Sequence, residues 1–197
     1  MSISFEYPVD DELISDFYQD FRYAYDRCEQ SLLALEKDPV NVELTRDLFR
    51  AVHTIKGNLI YIGLKDLSPL LQSVEDVLEE LRQGQIDYTD QLSDVVLLAM
   101  DLTNTLIQEK LFQENISDAG ERFTVICEAI SKIATCTGKS QELAIYEAIL
   151  ALDPNTSALP PGFDEELPTP FDAEPINRLL MPYGVEPNAD LDFFAQL

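Results

Sequence analysis

Apolar side chains recur every three or four residues through almost the whole of residues 10 to 152, the period of helices that bury one face. The first predicted helix runs from about Asp10 to Lys37, with Ile14, Phe17, Phe21, Cys28, Leu32 and Leu35 on one side. Asp38-Pro39 ends it, and Asn41 is placed to cap a second helix whose stripe is Leu44, Leu48, Val52, Ile55, Leu59 and Ile62. Gly63 closes that helix. A third starts near Asp66, accepts Pro69 in its first turn, carries Leu67, Leu70, Leu71, Val74, Leu78 and Leu81, and stops at Gly84. The fourth, from about Thr89 to Glu114, uses Leu92, Val95, Val96, Ala99, Leu102 and Leu106. Two more follow. Ser117 or Asp118 caps one bearing Phe123, Ile126, Ile130 and Ile133 as far as Gly138, and Ser140 caps a shorter one bearing Leu143, Tyr146, Ile149 and Leu150.

No segment shows sustained strand alternation, so the expected fold is all-α. Four amphipathic helices with short connections predict an antiparallel up-down four-helix bundle. One or two additional C-terminal helices either pack on its side or project as a dimer contact, and the pattern does not choose. The composition changes at Asp153: eight of the eleven prolines lie in 153–197, with many acids and Arg178 as the only cation. The expected division is a helical bundle in 1–138, an extra helix in 139–152, and an irregular, acidic, proline-rich tail or linker in 153–197. Two apolar clusters interrupt that tail, around Leu179-Leu180-Met181 and Phe193-Phe194.

Charge narrows the function classes. A net charge of -24, from 37 acidic and 13 basic residues, argues against nucleic acid or an anionic membrane surface, both of which call for clustered cations. No apolar run approaches the ~20 residues of a bilayer span, and the N-terminal residues lack the pattern of a secretion signal. Cys28, Cys127 and Cys136 have no metal-ligand spacing, and reduced thiols in a cytoplasmic protein are the expected reading. A di-iron bundle needs two Glu-x-x-His pairs, whereas this chain has one histidine.

That histidine, His53, lies in Leu48-Phe49-Arg50-Ala51-Val52-His53-Thr54-Ile55-Lys56-Gly57. On a helix Arg50 and Lys56 are its surface neighbours, Gly57 leaves open space beside it, and Arg46 extends the stripe one turn back. His53 falls nearly opposite Ile55 and is expected to face outward. An accessible neutral imidazole within reach of cations suits a transient phosphoryl carrier. A lone histidine on a helix is also ordinarily just solvated, and Arg46 and Arg50 can equally pair with Glu43 or Asp47.

Together with Glu79-Glu80-Leu81-Arg82-Gln83-Gly84 in an acidic third helix, the His-x-x-Lys-Gly run resembles the histidine phosphotransfer (HPt) domain over about residues 10–137. It is most like the N-terminal phosphotransfer domain of the chemotaxis kinase CheA. The resemblance implies a phosphorelay carrier in two-component signalling, with no kinase domain of its own. A histidine kinase would phosphorylate His53, and the phosphoryl group would exchange with an aspartate of a response-regulator receiver domain. It further implies that Nε2 of His53 is the acceptor, that Lys56 stabilises the phosphoryl oxygens, and that Glu75 accepts a hydrogen bond from Nδ1. Where chemotaxis kinases often carry a second histidine, this chain has Gln72, which can still hydrogen-bond the phosphoryl group. Phe49, Arg50, Gly57 and Ile60 would meet the receiver. No cofactor is expected on this chain, Mg2+ belonging to the receiver. Two further readings stay open: a non-catalytic scaffold or dimerisation module, and the input fragment of a longer CheA-like kinase or regulator. No glycine-rich nucleotide-binding run is present, so the chain should not phosphorylate itself.

Overall fold

The computed structural model describes residues 11–112 and 119–156. These form six α-helices: α1 Asp11–Leu35, α2 Val42–Tyr61, α3 Ser68–Arg82, α4 Asp90–Phe112, α5 Ala119–Ile133 and α6 Lys139–Leu152. One 3-10 turn, Lys65–Leu67, leads into α3. There is no strand among the described residues, as the periodicity predicts. No helix among them is long and apolar enough to cross a membrane. The chain divides into two units, Met1–Thr156 and Ser157–Leu197, and the predicted tail with its apolar clusters lies outside the described residues.

Packing follows chain order. The first helix packs on α2, α2 on α3, and α4 closes the ring against α1 and α3. The first three connections are short, so sequential helices run antiparallel. Their caps are local chemistry. Asn41 accepts the backbone N–H groups of Glu43 and Leu44 through its side-chain oxygen, meeting two of the donors a helix start leaves open. Gly63 and Gly84 take φ of 85° and 69° after α2 and α3, left-handed values that suit a residue without Cβ.

The core is the set of predicted stripes brought face to face. Phe17, Phe21, Cys28, Leu32 and Leu35 of α1 are buried with Leu48, Val52, Ile55 and Leu59 of α2, Leu70, Leu71, Val74 and Leu78 of α3, and Leu92, Val95, Val96 and Ala99 of α4. Ile14 stays partly exposed, and Leu13 packs against this core in its place. Between helices, Tyr88 donates its hydroxyl to the Leu32 carbonyl at 3.1 Å, tying the end of α1 to the start of α4.

Helices α5 and α6 do not project. The fifth packs on α3, and the sixth on α4 and α5, adding Ile126, Ile130, Ile133, Ala144, Ile145 and Ala148 to the same core. Arg122, buried in α5, donates from a guanidinium nitrogen to the Ala151 carbonyl at 2.8 Å, a cation at the C-terminal end of α6 where the helix dipole favours it. Three expectations are corrected here. The fifth helix ends at Ile133, well before Gly138. The sixth is capped by Gly138, at φ 56°, and Ser140 lies inside it. Its buried face is Ala144, Ile145, Ala148 and Ala151, so Leu143 is exposed where Leu143, Tyr146, Ile149 and Leu150 were expected to form the stripe. Small residues allow α6 to lie close against its neighbours, and close approach outweighs side-chain size. The predicted caps Ser117 and Asp118 lie outside the described residues.

Candidate functional site

The site is built on two neighbouring helices. The second helix buries Leu48, Val52, Ile55 and Leu59 and thereby turns Phe49, His53, Gly57 and Ile60 to its other side. The His53 side chain is 64% exposed, and its ring lies nearly parallel to Phe49, centroids 6.1 Å apart at 11°. Phe49 itself packs partly into the core, so it gives the imidazole a fixed wall one turn back. A Cβ on Gly57 would meet no atom within 4 Å, which leaves the surface one turn ahead open. Ile60, one turn further, is 53% exposed, and Tyr61 beside it is exposed as well.

The third helix supplies what lies beneath the ring. Glu75 reaches across from it and has only 6% of its side chain exposed. One carboxylate oxygen, Oε1, lies 3.1 Å from His53 Nδ1, and the other, Oε2, lies 2.5 Å from Lys56 Nζ. A carboxylate bound to an ammonium is an acceptor. In the neutral ring this contact favours the proton on Nδ1, the tautomer whose lone pair is on Nε2. Lys56 also donates to Gln72 Oε1 at 2.8 Å, and Gln72 in turn donates from Nε2 to Asp76 Oδ1 at 2.8 Å. Chemically, this is a largely exposed imidazole stacked on an aromatic ring and contacted at Nδ1 by a buried carboxylate that also meets an ammonium.

One expectation about a side chain changes. Lys56 was expected to stand exposed. Only 14% of its side chain is, because its stem lies between the helices on the way to Glu75. Gln72, expected to be able to hydrogen-bond the phosphoryl group, gives one amide N–H to Asp76 and its oxygen to Lys56. Of the flanking arginines, Arg46 pairs with Glu43 at 2.6 Å and Arg50 with Asp47 at 3.7 Å, the ordinary alternative weighed from the sequence. Arg27 of α1 reaches the same Asp47 at 3.6 Å. Arg50 nevertheless remains well exposed on the His53 side of α2.

Asp76 was not singled out from the sequence, although a glutamine and an aspartate four apart on a helix are a recognised pair. Another polar contact that sequence reading missed lies on α3 one turn before Val77: Ser73, buried, accepts a hydrogen bond from Ser131 of α5 at 3.0 Å. It has no local signal, since its partner is 58 residues away. Among the described residues, no three His, Cys, Asp or Glu side chains cluster in a way that would hold a metal ion.

The Hpt domain family model matches residues 12–122, more than half of the chain, from α1 into α5. The chain is 36% identical over 106 residues to chemotaxis protein CheA of Bacillus subtilis, covering 54% of this chain and 15% of that one. It is 32% identical over 134 residues to sensor histidine kinase CheAY of Helicobacter pylori, covering 68% and 16%. With CheA of Borreliella burgdorferi the identity is 30% over 112 residues, covering 55% and 13%. The matched stretch is thus less than a fifth of the length of each of these curated relatives. No solved structure matches the chain significantly. With its six-helix fold and a matching family model over α1 to α4, the chain belongs to the Hpt domain family, phosphoryl carriers of two-component signalling.

Proposed function

We propose that this chain carries a phosphoryl group on Nε2 of His53 and exchanges it with the aspartate of a response-regulator receiver domain, a histidine kinase being the original donor. The observation that carries the reading is the contact of His53 Nδ1 with the buried Glu75 carboxylate, at 3.1 Å, under a ring whose other side is open. That contact holds the tautomer in which Nε2 is the nucleophile.

In the receiving direction the Nε2 lone pair forms a bond to phosphorus while the bond from phosphorus to the donor's aspartyl oxygen breaks, and the aspartate leaves as a carboxylate. Nδ1 keeps its proton. The ring therefore gains positive charge as the phosphoryl group adds its charge of about -2, and Glu75 lies where it balances the ring. Lys56 beside that carboxylate keeps the buried group from being a lone charge, and Arg50 is the exposed cation nearest in sequence to an incoming anion. Such transfer depends on positioning and on charge neutralisation more than on covalent machinery. We take the receiver's Mg2+ to supply much of the latter. Phe49, Gly57 and Ile60, along one side of α2, form a flat, partly apolar strip on which a receiver helix would seat around His53.

The similarity to a chemotaxis protein and to a sensor histidine kinase supports a kinase as donor. The short share of those relatives that is matched favours a second arrangement, in which such a module serves a larger CheA-like protein and receives its phosphoryl group within it. Incubation with a labelled kinase or labelled receiver tests the first step. Wild type should take up acid-labile, alkali-stable label and His53→Gln none. Acid-labile label persisting on the variant would refute His53 as the carrier, and full biological activity of His53→Gln would favour a scaffold or dimerisation module.

A further inference from the structure

We propose that Asp76 is a positioning residue for the carrier site, acting through Gln72 on Lys56. The inference rests on the reading of His53 as acceptor and extends it to a residue that no motif marks. A glutamine side chain has two ends of nearly equal size and opposite character, an NH2 that donates and an oxygen that accepts. Which end faces Lys56 decides whether the amide attracts or repels an ammonium.

Asp76 settles that choice. It lies one turn beyond Gln72 on α3, and an aspartate carboxylate offers acceptors only. Its Oδ1 takes the Gln72 Nε2–H at 2.8 Å, so the amide oxygen is left to meet Lys56 Nζ, also at 2.8 Å. Turned over, the same amide would set an NH2 against the ammonium and an oxygen against the carboxylate, two repulsive contacts in place of two attractive ones. Lys56 uses a second N–H on Glu75 Oε2 at 2.5 Å. With two of its three N–H groups held, the direction of the third is set, and a cation on a flexible four-carbon stem is kept beside the acceptor. The chain of contacts runs Asp76, Gln72, Lys56, Glu75, His53, crossing three times between α3 and α2. Holding a charge in place before reaction is how a positioned group lowers a barrier. Asp76 and Gln72 are exposed, so water screens part of the effect and its size is several-fold.

Two readouts test this on the whole chain. The first is uptake from phosphoramidate: the His53 Nε2 lone pair forms the N–P bond, the reagent's own P–N bond breaks, and ammonia leaves. Asp76→Ala is expected to slow uptake about 3- to 10-fold and to change nothing further in a Gln72→Ala background, the mark of one residue acting through the other. Uptake equal to wild type, or the same slowing in both backgrounds, overturns the proposal. The second readout is independent of phosphoryl chemistry: the 15N–1H signal of the Lys56 ammonium at slightly acidic pH and low temperature. A held ammonium exchanges slowly enough to be seen. The signal is expected in wild type and expected to broaden away in Asp76→Ala and Gln72→Ala. A signal absent from wild type, or unchanged by either substitution, overturns the proposal. Failure of wild type to take up label on His53 would instead strike the carrier reading, while the ammonium signal still decides the role of Asp76.

Discussion

Lys56 and His53, one helical turn apart on α2, converge on the two oxygens of one carboxylate, Glu75 of α3. The lysine contact is 2.5 Å and the histidine contact 3.1 Å, so the acid is shared between a cation and a ring N–H. This makes Glu75 less a bare negative charge beneath the imidazole than one half of a nearly neutral pair. The ring keeps its tautomer, and the buried acid keeps a partner.

Removing either end of that pair should therefore show in both stability and transfer. Lys56→Ala leaves a buried carboxylate without its ammonium and should cost about 1–3 kcal/mol of unfolding free energy, read from urea titration. The chain should remain folded and transfer phosphoryl groups more slowly. Glu75→Ala should slow transfer about 10- to 100-fold, as loss of a supporting ligand partner does elsewhere. Wild-type rates in both variants would remove the pair from the mechanism.

Gly57 separates folding from function. Its helical position is exposed and a Cβ there meets nothing, so Gly57→Ala should stabilise the fold by about 0.5–1 kcal/mol through backbone entropy. The added methyl lies one turn from His53 on the proposed docking strip and should slow exchange with a receiver. Higher stability with unchanged exchange would show that no partner uses that space.

Thiol reactivity should follow burial. Burial pushes the Cys28 thiol up to about 12, with Arg27 opposing and Glu29 adding. It pushes Cys127 up to about 11, and Ser73 partly offsets that rise. Both stay neutral in mildly alkaline buffer, where the thiolate is the reactive form. Iodoacetamide labelling followed by mass spectrometry should modify Cys28 last, at the rate at which α1 opens from the bundle. Fast modification of Cys28 would mean that α1 detaches readily.

On α3, hydrogen bonds from Arg82 and Gln83 hold the Glu79 carboxyl down at about 2, below its ordinary 4.5. The folded chain keeps this group charged further into acid than the unfolded chain does. Its contribution is therefore present above pH 4.5 and disappears as pH falls through about 2. Glu79→Gln should lower the urea midpoint slightly at neutral pH and match wild type at the acid end. A difference that persists in acid would assign the effect to something other than the charge.

Much of this molecule is local and so could be read along the chain. Asn41 caps α2 with its own side chain, Gly63 and Gly84 end helices by their own backbone freedom, and the stripe Leu48, Val52, Ile55, Leu59 selects the face on which His53 is left outside. Each depends on residues within a turn of one another. The sixth helix shows where that stops. Apolar residues occur on more than one of its faces, and only the approach of α4 and α5 chose the alanine face over Leu143 and Tyr146.

His53 as a candidate was therefore legible in the sequence, and so was its outward direction, which the structure bears out. The depth of Glu75, the withdrawal of Lys56 from solvent, and the meeting of Lys56 with Gln72 and Glu75 were settled by tertiary structure alone. The physical reason is separation: contacts across 16 to 22 residues depend on how far α2 and α3 slide and roll against each other. That register is set by the packing of the whole core, which no single stretch of either helix encodes.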